Sequence, residues 1–172
     1  MATDEQIQEL RQKMRAERAK LFDALAEMSE DEAQRSTSGE GEWSAKQQMA
    51  HLCEMETAYR AWVEKALTED NPNVDRVLGE PPAIALTKAH DHSAAEHVAE
   101  MRRQRELTEA VIDDIRAEQF ERTATQQMFG TLTVMQWLRS YYRHDRMHSD
   151  QVSGRDPEYK PRFTNGEPDQ RR

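Results

Sequence analysis

Residues 130–154 read GTLTVMQWLRSYYRHDRMHSDQVSG. Apolar and aromatic groups recur at Val134, Trp137, Leu138, Tyr141, Met147 and Val152, and the row 134, 137, 141, 144, 148, 151 advances by 3, 4, 3, 4 and 3. That is the period of a helix with one buried face, not the alternation of a strand. Thr133 with Gln136 three residues on has the spacing of a capping box, and Ser153-Gly154 supplies a stop. The stretch is therefore predicted to be a helix, with His144 and His148 on its inward stripe and Gln151 one turn later.

The same period recurs upstream. Residues 4–28 carry Ile7, Leu10, Met14, Leu21, Leu25 and Met28, behind a Thr3/Gln6 capping box. A second helix opens at Ser44, with Gln47 in capping-box spacing and Trp43 ahead of it as an apolar anchor, and fades near residues 67–70. Its inward face carries Ala45, Met49, Leu52, Tyr59, Trp62, Val63 and Ala66. A third runs over 93–115 through Val98, Met101, Thr108, Ile112 and Ile115, with Arg105 interrupting the seam.

Between these lie a polar stretch (29–42) read as a loop with one short turn, a loop broken by Pro72, Gly79, Pro81 and Pro82, and residues 120–131, read as an extended loop or a small hairpin. Strand alternation is scarce. The chain is predicted to be all-α: a four-helix bundle over residues 1–153, with a loosely held tail over 154–172. The long link between helices 2 and 3 permits a crossover in which two successive helices run in the same direction.

A chain of 172 residues favours one domain. The formal net charge of -9 argues against generic binding to nucleic acid or to anionic membrane. No segment approaches the ~18–20 apolar residues of a membrane span, and no apolar leader stands at the N-terminus. Cys53 is the single cysteine, so no intramolecular disulfide can form. These features lead to the expectation of a cytoplasmic protein. A mean hydropathy of -1.03 suits amphipathic helices with very polar outer faces.

The second helix repeats the inward placement of a histidine. His51 shares a row with Met55, Ala58, Tyr59 and Trp62. Three neutral imidazoles from two helices make a good divalent-metal site with a vacant position, as in catalytic centres; structural zinc sites are closed by four protein ligands. The residues alone also allow core histidines hydrogen-bonded to a Tyr or a carboxylate. Glu54, three residues after His51, reads either as a partner of the metal's ligands or water or as a surface acid. Gln151 reads as a partner of ligand or substrate, or as a helix-end cap. Arg105 reads as a holder of an anionic cofactor group or as a side chain snorkelling from the core edge. Asp145 is read as solvated, and so are His90, His92 and His97 at the start of the third helix. Cys53 lies about 200° around the helix from His51 and is read as a buried thiol facing away.

Two stretches resemble a known family. GEWSAKQQMAHLCEMETAYRAW (41–62) is similar to the second-helix motif of the DinB/YfiT-like superfamily, in which a Trp-Ser helix start precedes a histidine. FGTLTVMQWLRSYYRHDRMHSDQV (129–152) is similar to its last-helix motif, a Gly-x-Leu-Thr start leading to His-x-x-x-His-x-x-Gln. The resemblance implies an up-down-down-up four-helix bundle and one divalent ion, zinc, nickel or iron, on His51, His144 and His148. Relatives of this kind include transferases using bacillithiol, mycothiol or glutathione, and a mycothiol-dependent maleylpyruvate isomerase. The isomerase branch tends to replace one histidine of the last-helix pair with Glu; both are His here, so an isomerase is not expected.

The expected function is transfer of a low-molecular-weight thiol, as a metal-bound thiolate, to an electrophilic small molecule held against Met55, Tyr59 and Trp62. No catalytic residue is assigned beyond the metal centre. The alternatives are a hydrolase using metal-bound hydroxide and a non-enzymatic, stress-related metal-binding protein. A homodimer is expected from the family and from the supply of Trp, Met and Leu.

Overall fold

The computed structural model describes residues 1–36 and 42–159. Four long helices form: α1 (Asp4–Ala26), α3 (Ala45–Thr68), α4 (Ala94–Asp113) and α5 (Val134–Val152). Each opens on a capping box, at Thr3/Gln6, Ser44/Gln47, Ser93/Glu96 and Thr133/Gln136. The cap oxygen takes one of the first-turn N–H groups that has no partner within the helix, which places the starts where the sequence puts them. The stretch read as a loop with a turn contains α2 (Glu30–Ala33), capped in the same way by Ser29/Glu32. Residues 120–131 include most of a hairpin: β1 (Thr123–Gln126) pairs antiparallel with β2 (Gly130–Thr133), which leads directly into α5. Of the tail expected over 154–172, residues 160–172 lie outside the described residues.

Side-chain pairs give the directions. Along α1 and α5 the contacts advance together, Lys13 over Tyr142 and Arg18 on Asp145, so these helices are parallel. α3 and α4 are also parallel, Glu56 meeting Arg105 and Arg60 meeting Thr108. α3 opposes α5 (Gln48 with His148, Glu56 with Tyr141), and α1 opposes α4 (Arg11 with Asp113, Arg18 with Met101). The order is up-down-down-up.

Two successive parallel helices need a return strap along the bundle, and residues 69–93 supply it. The strap includes a short 3-10 helix, Leu86–Asp91. It is fastened where Trp62 Nε1 donates to the Val77 carbonyl at 2.7 Å, the Leu86 amide donates to Glu54 at 2.9 Å, and the Ala83 amide donates to Glu100 at 3.0 Å. Gly79 is required on two counts. Its φ is +72°, and a Cβ there would lie 2.5 Å from the Thr57 carbonyl oxygen.

Among the described residues the core has two large apolar clusters and a small one of Ala50, Ile84 and Ala89. One large cluster surrounds Trp62, Phe120, Leu132, Trp137 and Tyr141; the other surrounds Leu21, Met49, Leu52, Met101 and Val152. Where they meet, each long helix contributes one buried charge. Arg18 Nε donates to Asp145 Oδ2 at 3.0 Å and Arg18 Nη2 to Glu56 Oε2 at 2.7 Å. Arg105 Nε donates to Glu56 Oε1 at 2.7 Å and Arg105 Nη2 to Asp145 Oδ2 at 2.9 Å. The remaining guanidinium groups donate to the carbonyls of Met101 and Met14. Two positive and two negative charges cancel, which is what lets them stay ionised away from water.

Three expectations are corrected. Asp145 is fully buried in this network, not solvated. Arg105 neither snorkels nor faces a ligand, because its donors are taken by Glu56, Asp145 and Met14. His97 is buried with Nε2 2.8 Å from the Ala89 carbonyl oxygen, whereas His90, beside Ser44, is exposed and His92, beside Glu96, is half-exposed. Cys53 is buried as expected, and burial raises its thiol pKa far above the ordinary value. Among the described residues no helix is long and apolar enough to cross a membrane.

Candidate metal centre

α3 and α5 run antiparallel, so the second turn of α3 meets the last turns of α5. His51 thereby faces His144 and His148. One ligand nitrogen from each ring lies within 4.8 Å of the others. His144 and His148 stand one turn apart on α5, with their Nε2 atoms 3.0 Å apart. Nitrogens bound ~2.0–2.1 Å from one ion at angles between 90° and the tetrahedral value would be ~2.9–3.4 Å apart. The pair has the spacing of two ligands, and the three residues could hold a divalent ion.

The surroundings fit neutral ligands with their lone pairs turned inward. Burial lowers the pKa of His51 to about 4 and those of His144 and His148 well below the ordinary imidazole value. All three rings are therefore uncharged near neutrality, as ligands must be. Gln48, one turn before His51, orients His148. Its Nε2 donates to the Trp43 carbonyl at 3.2 Å, which turns its Oε1 towards His148 Nδ1 at 2.8 Å. His148 Nδ1 then carries the proton, and Nε2 is left free to bind. Trp43, expected as an apolar anchor ahead of the helix, also packs its ring on His51 with centroids 4.8 Å apart.

His51 and His144 form part of the wall of a cavity of about 500 Å³. Met55, Tyr59 and Trp62 also line it. Glu54 does not; its carboxylate receives the Leu86 amide and pins the strap. Gln151, one turn along α5, favours the protonated form of His148, against the stronger effect of burial. Arg105 stays in the charge network. Gln48 was not singled out from sequence, although its place three residues before His51 on the same face was a usable signal.

Gln48→Leu should weaken Zn²⁺ or Co²⁺ binding by roughly 10–100-fold, read by competition with a chromogenic chelator. Gln48→Glu, which still accepts from His148 Nδ1, should bind nearly as tightly as the parent. Equal loss in both variants would mean that Gln48 only packs.

The sequence profile of the DinB superfamily matches residues 13–152. This chain belongs to the DinB superfamily. An uncharacterised Bacillus subtilis protein, YuaE, is 24% identical over 148 residues, covering 78% of this chain and 90% of its own. Among solved structures, Bacillus subtilis YfiT, described as a probable metal-dependent hydrolase with an unusual four-helix bundle topology, superposes with a TM-score of 0.72 at 18% identity. That likeness covers 89% of this chain and 87% of YfiT. A variant of a mycothiol-dependent maleylpyruvate isomerase superposes with a TM-score of 0.64 at 11% identity, over 85% of this chain and 60% of that one. At these identities the two structures establish the shared fold.

Proposed function

We propose that this protein is a divalent-metal enzyme that transfers a low-molecular-weight thiol to an electrophilic small molecule. In this reading His51, His144 and His148 are the ligands. The observation that carries it is three neutral imidazoles converging on one point at the wall of an apolar cavity, one of them oriented from behind by Gln48. Three uncharged ligands leave a bound ion its full positive charge, which favours the thiolate form of a thiol whose ordinary pKa is ~8.5. The protein's part is placement. Met55, Tyr59 and Trp62 hold the electrophile beside the imidazoles, and their apolar surfaces exclude water that would compete with sulfur. A new sulfur–carbon bond forms, the electrophile's leaving group departs with its electron pair, and the thiol's proton passes to solvent. The mycothiol dependence of the isomerase with this fold supports a thiol as cosubstrate.

The second reading is hydrolysis, favoured by the description of YfiT, whose fold this chain shares over most of its length. One experiment separates the two. Protein purified without an affinity tag is analysed for metals, then given chlorodinitrobenzene with each of several thiols, before and after chelation. Metal-dependent loss of thiol with release of chloride supports transfer. Metal-dependent cleavage of aryl esters without loss of thiol supports hydrolysis instead.

A further inference from the structure

We infer that the molecule taken into the cavity beside the imidazoles is uncharged, with an aromatic or aliphatic body of two or three rings or the equivalent chain. The inference rests on the reading above only in giving that molecule the place of the electrophile.

Size comes first. An apolar cavity of ~150 Å³ accommodates benzene, and this one measures about 500 Å³. Its wall is made by Met55, Ala58, Tyr59 and Trp62 of α3, with Phe129 and Met147 opposite. The two thioethers adapt to irregular apolar shapes. Leu78 and Met128, 79% and 51% exposed, also belong to the lining, so the cavity opens to water between apolar side chains.

Three polar side chains of the wall, Asp75, Gln126 and Trp62, are already engaged. Asp75 Oδ1 accepts from the Gln127 amide at 2.5 Å and Oδ2 from Asn73 Nδ2 at 2.9 Å. Gln126 Oε1 accepts from the amides of Met128 and Phe129 at 2.6 and 3.2 Å. The Trp62 indole N–H is given to the Val77 carbonyl. These bonds hold the strap and the hairpin tip in place as walls. A carboxylate brought inside would lose its water and face Asp75, and an ammonium would lose its water with only Asp75 to meet it, whose two oxygens already accept the Gln127 and Asn73 donors. Most of what remains for recognition is apolar area.

The test uses the full chain and an uncharged naphthalene dye whose emission rises in apolar surroundings. Dye is displaced from metal-stripped protein by 4-phenylbutanol, 4-phenylbutyrate and 4-phenylbutylamine, so that no head group can gain from an ion. The alcohol should displace it at a concentration at least roughly tenfold lower than either charged analogue. Each methylene between 2-phenylethanol and 4-phenylbutanol should tighten binding by about fourfold. Ala58→Trp, which fills the cavity, should weaken the dye by at least roughly tenfold. Leu78→Glu, at a position too exposed to threaten folding, should weaken it by roughly threefold or more. Equal competition by alcohol and ions, or dye binding untouched by both substitutions, overturns the inference. Metal content is measured on the same preparation. Protein that never holds an ion sinks the proposed enzyme, while the displacement pattern still decides what the cavity accepts.

Discussion

Replacing His148 with Ala should cut the divalent-metal content of purified protein from about one ion per chain to below roughly a tenth, while the helical circular dichroism persists. His148 is the most constrained of the three rings. One nitrogen is engaged by Gln48 and the other faces His144. Without it, two imidazoles remain, one from α3 and one from α5, and water must complete the shell. The fold does not depend on the ring. The capping boxes, the two large apolar clusters and the buried charges involve other side chains. The variant leaves Gln48 Oε1 without its donor, a cost of ~1–3 kcal/mol against a total stability of ~5–15 kcal/mol. Elemental analysis and a thermal melt on one sample check both halves. Unchanged metal in a folded variant would show that the triad is not the site.

Glu56→Ala should do the reverse, costing stability first, by ~3–5 kcal/mol in urea unfolding. Glu56 accepts from Arg18 at Oε2 and from Arg105 at Oε1, both at 2.7 Å. Removing it leaves two guanidinium ions sharing the single charge of Asp145 in the interior. Exchanging all four for apolar groups (Arg18→Met, Glu56→Leu, Arg105→Met, Asp145→Leu) should be far milder, from neutral to stabilising by ~1–4 kcal/mol. If the single substitution costs no more than a surface change, the network carries no energetic weight. The network also has a pH signature. Burial opposes ionisation of Glu56, but Arg105 and Arg18 outweigh it and hold its pKa below the ordinary carboxylate value. As pH falls below ~4.3, the unfolded chain takes up this proton before the folded one does. The contribution is therefore complete above that pH and is lost as pH drops through the folded value. Glu56→Ala should flatten the acid limb of the stability profile.

The two substitutions probe different parts of one helix. Asp145 sits between His144 and His148 in sequence, and it binds Arg18 and Arg105 from the same helix that carries both rings.

Much of this was legible in the chain itself. Polar caps followed three residues later by Gln mark helix starts because they satisfy first-turn amides locally. Period-3.6 apolar rows mark inward faces because burial is the main gain available to a helix. His51, His144 and His148 were visible on such rows, and so were Met55, Tyr59 and Trp62. Periodicity does not state how wide the buried arc is. α5 packs against both α1 and α3, so its second face, with Leu138, Asp145, Ser149 and Val152, is buried too. Asp145 was taken for a solvated charge on that account. Arg18 occupies the gap between Met14 and Leu21 in the first stripe, and Arg105 breaks the third. Arg105 looked anomalous and Arg18 drew no notice until the helix directions brought them together with Glu56 and Asp145.

By itself the sequence determined four amphipathic helices, three of them with their capping boxes, and three inward histidines, since both depend on contacts or spacings within a few residues. Tertiary structure alone decided the pairing of four charges from four helices, the tautomer that Gln48 imposes on His148, and the cavity closed by residues 75–78 and 126–129. Those features join groups tens of residues apart, and the energy that selects them appears only once the helices have packed.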